Sequence, residues 1–400
     1  MNAVPLGSVL LSLESGARPK GGSSSDSGEI PSLGGEHVGI DGGFRLADVK
    51  RIPRPFFEAM RVGHIAIGDI LVVKDGATTG KTSFVRDGFP FVEAAVNEHV
   101  FRLRIDGHRA WPAYVFHYLY SPRGQSQIHL DFRGATVGGI SRDFVSKVFL
   151  PLPSVSEQRR IAEVLDRAEA LRAKRRSVLA QLETLTQSVF LDMFGDPAIN
   201  PKKWAESRVG EVASVQSGLA LSSARESLPC EIPYLRVANV HRGYLDLSMI
   251  KTIGATEAEV AKTTLAKGDL LVVEGHGNPD EIGRAALWDG SVIGCVHQNH
   301  IIRVRFDATE VAPVYGCVYL NSPGGRRHFL RSSKTTSGLN TISVSQVRSA
   351  PLALPPLDLQ QEFARRVAAV EAVRLAHRAS LAKFDSLFVS LQHRAFRGEL

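Results

Sequence analysis

The sequence predicts an α+β fold: two tandem mixed α/β units, each followed by a long helix, the helices pairing as an antiparallel coiled coil with pseudo-two-fold symmetry. Three observations predict it. The stretch from Leu150 to Phe194, an apolar strand end, a proline stop and a long uninterrupted helix pattern, is written a second time from Leu352. One constant offset pairs Pro153 with Pro355, Gln158 with Gln360, Ile161 with Phe363 and Phe194 with Phe396. In the first copy Ile161, Val164, Leu165, Ala168, Leu171, Val178, Leu182, Leu185, Val189 and Phe194 fall largely at steps of three and four, one face of a helix. The repeat also extends upstream, into text dominated by strand signals.

The element order follows from local chemistry. The spacing predicts a unit over 1–153, a helix over 154–195, a second unit over 196–355 and a second helix over 356–400. Ser154 and Ser156 offer N-caps with Glu157 in the first turn, and Gly195 followed by Pro197 stops the helix. A helix of roughly 40 residues is a rod of about 60 Å, too long to bury one apolar stripe in a small unit, so two such stripes most simply cover each other.

Within the units, the segment from Leu6 aligns with that from Val209, and Ile30 to Val38 aligns with Ile232 to Val240. GDILVV from Gly68 aligns with GDLLVV from Gly268; both are short β-branched runs after a Gly-Asp turn. HVFRLRI and HIIRVRF alternate as half-buried strands do, and Trp111–Tyr120 and Val311–Leu320 read as short helices closed by Ser-Pro turns. The Gly/Ser-rich stretch from Lys20 to Gly35 reads as a mobile loop, and Met193 to Trp204 as a hinge.

Composition narrows the class. At 44 % hydrophobic content, 400 residues suffice for two or three domains. The apolar runs fall far short of the roughly 20 residues of a membrane helix, and the N-terminus lacks the pattern of a secretory signal, so a cytoplasmic protein is expected. Cys230, Cys295 and Cys317 have no CxxC spacing and are expected to be reduced structural thiols. A net charge of +7 favours an anionic partner.

The twofold repeat, the IPSL and IPYL segments, the GDILVV and GDLLVV strands, and above all PLPSVSEQRRIAEVL together resemble the specificity (S) subunits of Type I restriction-modification systems. The resemblance covers nearly the whole chain; the second junction, LALPPLDLQQEFARRV, departs by carrying Leu359 where the first has Glu157. It implies two target-recognition domains, each reading one half of a bipartite site on double-stranded DNA, with the helices fixing the interval between halves. It also implies a non-catalytic chain that docks two methyltransferase (M) subunits and, where present, restriction (R) subunits. S-adenosylmethionine, ATP and Mg are then expected on those partners, and no cofactor or metal on this chain.

Candidate contacts follow from the loops. DGATTGKT at Asp75–Thr82 resembles a P-loop but has Asp75 where the first glycine belongs. What the copies share is a glycine followed by a base, Gly80-Lys81 and Gly283-Arg284, expected to touch phosphate, with Lys74 opening the preceding loop. The segments Asp131–Phe144 and Arg331–Val347, each just before a helix, are basic and hydroxyl-rich; Arg133, Thr136, Arg142, Lys334, Thr336, Ser337 and Asn340 are the expected DNA contacts. Gln298 and Asn299 are further candidates, because amide side chains pair bidentately with adenine. The competing reading of all these loops is a solvated surface. His99 and His300 recur without a second ligand at metal spacing and are expected to be structural, and the basic run Arg172–Arg176 to be the wet side of the coiled coil. Glu157, Gln158, Arg159, Gln360 and Gln361 are the expected docking residues for the methyltransferase subunits. No methyltransferase NPPY-like segment, complete P-loop or nuclease carboxylate cluster is apparent. The alternatives are a coiled-coil scaffold that does not bind DNA, and a diverged DNA methyltransferase or nuclease.

Overall fold

The computed structural model describes residues 3–20, 28–134, 138–336 and 339–400. The chain divides into two compact units, one made of residues 1–176 and 379–400, the other of 177–378. The division falls inside both long helices, so each unit contains the start of one helix and the end of the other.

In unit 1 an antiparallel sheet runs in the order Leu10–Ser15, Val100–Ile105, Ile70–Val73, Thr82–Phe84. Of its two inner strands, Ile70–Val73 is apolar at every position because it is covered on both faces. Ile70 and Val72 point into one core with Phe101, Tyr114 and Phe144, while Leu71 and Val73 point into another with Leu33 and Val96. Unit 2 repeats the arrangement as Ala213–Ser217, Ile301–Phe306, Leu270–Val273, Ala285–Leu287. Leu270 and Val272 again take one face, Leu271 and Val273 the other.

A three-stranded sheet flanks each, Arg51–Ile52, Ile30–Leu33, Ala95–Val96 in unit 1 and Lys251–Ala255, Cys230–Leu235, Val296–His297 in unit 2. This corrects the mobile loop expected from Lys20 to Gly35: Ile30–Leu33 is a fully buried strand, and residues 21–27 of that stretch lie outside the described residues. The expected hinge is also folded. Trp204 Nε1 donates to Phe194 O at 3.1 Å and Lys202 Nζ to Met193 O at 2.8 Å, closing the chain over the end of the helix.

Two short helices, Pro112–Tyr120 and Pro122–His129, pack on the sheet of unit 1; Pro313–Asn321 and Pro323–Ser332 do so in unit 2. Each pair is turned by a serine whose Oγ accepts a backbone N–H, Ser121 from Gly124 at 3.2 Å and Ser322 from Gly325 at 3.0 Å. A Cβ on either glycine would sit 2.0 Å from a tyrosine carbonyl oxygen, so the corner needs glycine.

The first long helix is Val155–Phe194 and the second Leu357–Ala395. Glu157 N donates to Ser154 Oγ at 3.3 Å at the start of the first, and Gly195, at φ +82°, ends it. The helices run antiparallel within each unit. In unit 1, Ile161, Ala162 and Leu165 near the start of the first share a core with Phe388, Ala395 and Phe396 near the end of the second. In unit 2, Phe190 and Phe194 pack against Phe363 with ring centroids 5.6 and 5.4 Å apart. Burying such a ring contributes roughly 2–3 kcal/mol, so these clusters pin the helices to their units. Arg172, expected on the wet side, is buried instead: its guanidinium stacks on Phe388 at 4.3 Å and pairs with Asp385 at 2.7 Å. Among the described residues, no helix is long and apolar enough to cross a membrane.

Candidate nucleic-acid interface

The two loops that the sequence singles out separately in each unit are joined. In unit 1 the loop leaving Ile70–Val73 is zipped to the segment preceding the helix: Ile140 N donates to Lys74 O at 2.8 Å, Gly76 N to Gly138 O at 3.1 Å, and Asp75 bridges Gly139. Arg133 and Gly139 exchange both backbone hydrogen bonds at 2.9 Å. The approach is close enough that a Cβ on Gly139 would lie 2.8 Å from Lys74 O. Unit 2 uses the same anchor, Ile342 N donating to Glu274 O at 2.8 Å. There the contact grows into a three-stranded ribbon of Gly275–His276, Leu339–Thr341 and Lys334–Thr336.

A histidine braces each junction. His99 O accepts from Lys74 N at 2.8 Å, and His99 Nδ1 meets Asp75 Oδ1 at 2.5 Å. Arg18 Nη2 lies 2.7 Å from His99 Nε2, and since arginine can only donate, the ring proton sits on Nδ1 and is given to Asp75. Arg18 also pairs with Glu98. In unit 2, Glu274 N donates to His300 O at 2.9 Å, and His300 Nδ1 meets Glu274 Oε2 at 2.7 Å. Both histidines therefore orient loops. Among the described residues, no group of three or more His, Cys, Asp or Glu could hold a metal ion.

The base of the unit 1 loop is tied to Asp131, whose side chain is buried and accepts from Ser141 N and Ser141 Oγ, each at 2.7 Å, with Lys147 and Arg133 as ion partners. Burial pushes this carboxyl up, but the Lys147 and Ser141 donors prevail and hold it down at about 2. The repeat position in unit 2 is Ser333, so that loop is tied differently. Gln346 reaches back to the Ser332 carbonyl and also accepts from Ser343 N at 2.6 Å.

The predicted contacts sort by exposure. Arg133 and Arg142 are exposed; Arg133 reaches Asp131 at 3.3 Å and Arg142 donates to Leu13 O at 2.7 Å. Lys74 is half-buried with its ammonium 5.8 Å from the Phe101 ring centroid; Lys81, also half-buried, is held by its backbone to Val73 N at 2.9 Å and Thr78 O at 3.1 Å, and its ammonium makes no hydrogen bond or ion pair among the described residues. Lys334, Thr336 and Asn340 lie in the unit 2 ribbon, Asn340 opposite both His276 and Thr335. Gln298 and Asn299 occupy the turn that carries His300, held by their backbone N–H groups to Leu235 O at 3.0 Å and Leu219 O at 2.8 Å. Thr136 and Ser337 lie outside the described residues. Sequence reasoning missed Arg18 and the clamp at Asp131; neither has a signal in the repeat, because the second copy does not preserve them.

Three predicted site residues are corrected. Arg284 is only 8 % exposed: it donates to Val237 O at 3.1 Å and pairs with Glu281 at 3.3 Å, since the short turn Pro279–Glu281 folds beneath it and supplies a counter-ion. Gln158 and Gln360 are fully buried and so cannot face a partner. Gln158 Oε1 accepts from Trp111 N and its Nε2 donates to Pro153 O, both at 2.8 Å. Gln360 repeats this with Ala312 N and Pro355 O, both at 2.9 Å, and adds Glu310 O at 3.0 Å. Each glutamine thus satisfies the orphan backbone groups where a short helix and a long helix begin side by side. Beside them, Glu157 pairs with Arg160 at 2.7 Å, Arg159 stacks on Trp111 at 4.2 Å, and Gln361 is exposed.

Residues 201–381 match a family model described as the Type I restriction modification DNA specificity domain. The chain is 29 % identical over 310 residues to the Type I restriction enzyme EcoKI specificity subunit of Escherichia coli K12, covering 72 % of this chain and 65 % of that protein. It is 27 % identical over 306 residues to the StySPI specificity subunit of Salmonella potsdam, again over 72 % and 65 %. It therefore spans just under two thirds of the length of these relatives. The S subunit of the Type I restriction-modification system of M. genitalium superposes over 99 % of this chain and 96 % of that one, with a TM-score of 0.58 at 13 % identity, a likeness of fold. A chain from a type I R-M system, solved for its complex assembly and conformational transition, superposes equally well, with a TM-score of 0.58 at 18 % identity over 100 % and 98 %.

Proposed function

We propose that the chain is a specificity subunit of a Type I restriction-modification system and that each unit reads one half of a bipartite site on double-stranded DNA. The observation that carries this reading is the shared anchor, Ile140 to Lys74 and Ile342 to Glu274, which gathers two polar, glycine-rich loops into one surface at the same place in both units. Lys81, Arg133 and Arg142 contribute phosphate contacts, and loop amides and hydroxyls read base edges. Because unit 1 presents an irregular loop and unit 2 a three-stranded ribbon, the two half-sites differ in sequence.

The long helices set the interval between half-sites, and their exposed first turns dock methyltransferase subunits. Glu157, Arg159 and Arg160 form one such face, Gln361, Arg365 and Arg366 the other. The chain itself is a non-catalytic reader. S-adenosylmethionine, ATP and Mg belong to its methyltransferase and restriction partners, and an adenine flipped from the duplex enters a partner's pocket.

Selection of bound duplexes from a random library by the chain coexpressed with its methyltransferase subunit tests the reading. Two dissimilar constant blocks separated by a fixed unconstrained gap are expected. One contiguous block, or no enrichment, would contradict it.

A further inference from the structure

Unit 2 contains a cleft of about 440 Å³ between the helix pair and the Pro313–Asn321 helix, a size within the range of small-molecule sites. Its walls include Leu287, Val314, Cys317, Val318 and Val367, and Arg242 stands among them.

The internal repeat shows what the cleft lacks. In unit 1 the same place is narrowed to about 170 Å³, with Phe388 from the end of the second helix, 2 % exposed, packed beside it and the His117 and Tyr120 rings 6.4 and 6.3 Å from that ring. Asp166 of the first helix meets His117 Nε2 at 2.8 Å and Arg86 at 2.7 Å, so that a carboxylate neutralises the arginine. The repeat positions in unit 2 are Thr186 for Phe388, Cys317 for Phe116, Val318 for His117, Asn321 for Tyr120 and Ala368 for Asp166. A phenyl ring and a carboxylate have both been removed; Arg86 is matched by Asp289, and Arg242 stands where unit 1 has Asp41, so the charge at that turn is reversed.

Glu281 and Asp280 are the carboxylates that act on Arg242, and neither forms an ion pair with it. Arg242 is half-buried; its Nη1 donates to Asn321 Oδ1 at 3.3 Å and its Nη2 to Asp280 O at 2.7 Å, and it makes no ion pair among the described residues. Burial, and then the neighbouring Arg326, hold its guanidinium below the ordinary arginine value. Of the two glutamates on the cleft wall, Glu371 is taken by Arg374 at 2.7 Å and Glu183 is exposed to solvent. Gln187, also on the wall, holds a buried Nε2 that has no hydrogen-bond partner among the described residues. A partly buried cation and an unpaired amide donor beside an apolar wall favour an anionic ligand with an apolar body.

We propose that unit 2 carries a binding site for a small aromatic carboxylate, whose ring takes the room that is narrowed beside Phe388 in unit 1 and whose carboxylate pairs with Arg242.

Calorimetric titration of the full chain with phenylacetate, 3-phenylpropionate and phenylacetamide tests it. Saturable binding is expected, with the acids about tenfold tighter than the amide, the increment of one charge-assisted pair. Arg242→Gln is expected to erase that preference. Thr186→Phe, which restores the ring of unit 1, is expected to abolish binding while raising the thermal midpoint of unfolding, and so reports its own folding. Absence of saturable binding, equal affinity for acid and amide, or binding indifferent to Thr186→Phe would overturn the proposal. So would a Thr186→Phe chain that loses its methyltransferase subunit while the parent chain binds none of the three probes, since the cleft would then seat a protein side chain.

Discussion

The backbone N–H of Ile140 donates to the carbonyl of Lys74 at 2.8 Å, joining two loops that lie far apart in the sequence of unit 1. The joint matters because neither loop has a core of its own: one leaves a strand buried on both faces, and the other joins the short helix Pro122–His129 to the short helix Phe144–Lys147. Pinning them together gives a polar surface fixed geometry at a low cost in ordered residues. Its equal in unit 2, Ile342 to Glu274, has the same length and supports an entirely different loop shape. One anchor with variable decoration is how a repeated fold presents two different surfaces.

Charge reversal separates surface bases from structural ones. Lys81→Glu or Arg133→Glu is expected to weaken DNA binding and to lower the slope of log K against log salt by about one for each lost phosphate contact. Arg284→Gln is expected to leave that slope unchanged and to destabilise unit 2, because it vacates a buried pairing with Glu281 and Val237. Filter binding over a salt series, beside urea unfolding, distinguishes them.

The glutamine clamps are stability elements. Gln158→Ala strands the Trp111 N–H and the Pro153 carbonyl, and Gln360→Ala strands Ala312 N–H with two carbonyls. Each is expected to cost about 2–3 kcal/mol, against under about 0.5 kcal/mol for the exposed Gln361→Ala. Denaturant midpoints of the full chain check the contrast.

A buried histidine makes unit 2 sensitive to acid. His297 is fully buried, donates Nδ1–H to Ile301 O at 2.9 Å, and burial pushes its imidazole down to about 4. In the unfolded chain it titrates near 6.5, so between about 6.5 and about 4 the unfolded state binds the extra proton and stability falls as pH is lowered. The loss is on the order of 3 kcal/mol once pH is below both values. His297→Val, which installs the residue unit 1 carries at Val96, is expected to remove that slope; thermal melts from pH 7 to pH 4 measure it.

What was legible in the sequence was periodic or repeated. The apolar stripe from Ile161 to Phe194 with its serine start and glycine stop gave the first long helix to within a residue or two, and the matched GDILVV and GDLLVV runs gave the inner strands. Side-chain direction at polar positions was not legible. Gly80-Lys81 and Gly283-Arg284 are the same dipeptide pattern, yet only the second has an acidic turn folded beneath it. Gln158 reads as the polar side of an amphipathic helix, although one of its two backbone partners, Trp111 N, is almost fifty residues away in the chain. The joining of Lys74 to Ile140 is equally non-local and leaves no mark on either segment. The cleft of unit 2 is silent in one copy and appears only when Thr186 and Ala368 are set against Phe388 and Asp166.

The central claim, that each unit reads its own half of one DNA site, is tested most directly by sequencing modified bases in the host genome with the gene intact, deleted, and carrying residues 1–153 exchanged for those of a relative. The account predicts that deletion removes methylation at one bipartite motif and that the exchange alters one half of that motif while the other half and the gap stay the same. Retention of every motif on deletion, or a change in both halves on exchange, would contradict it.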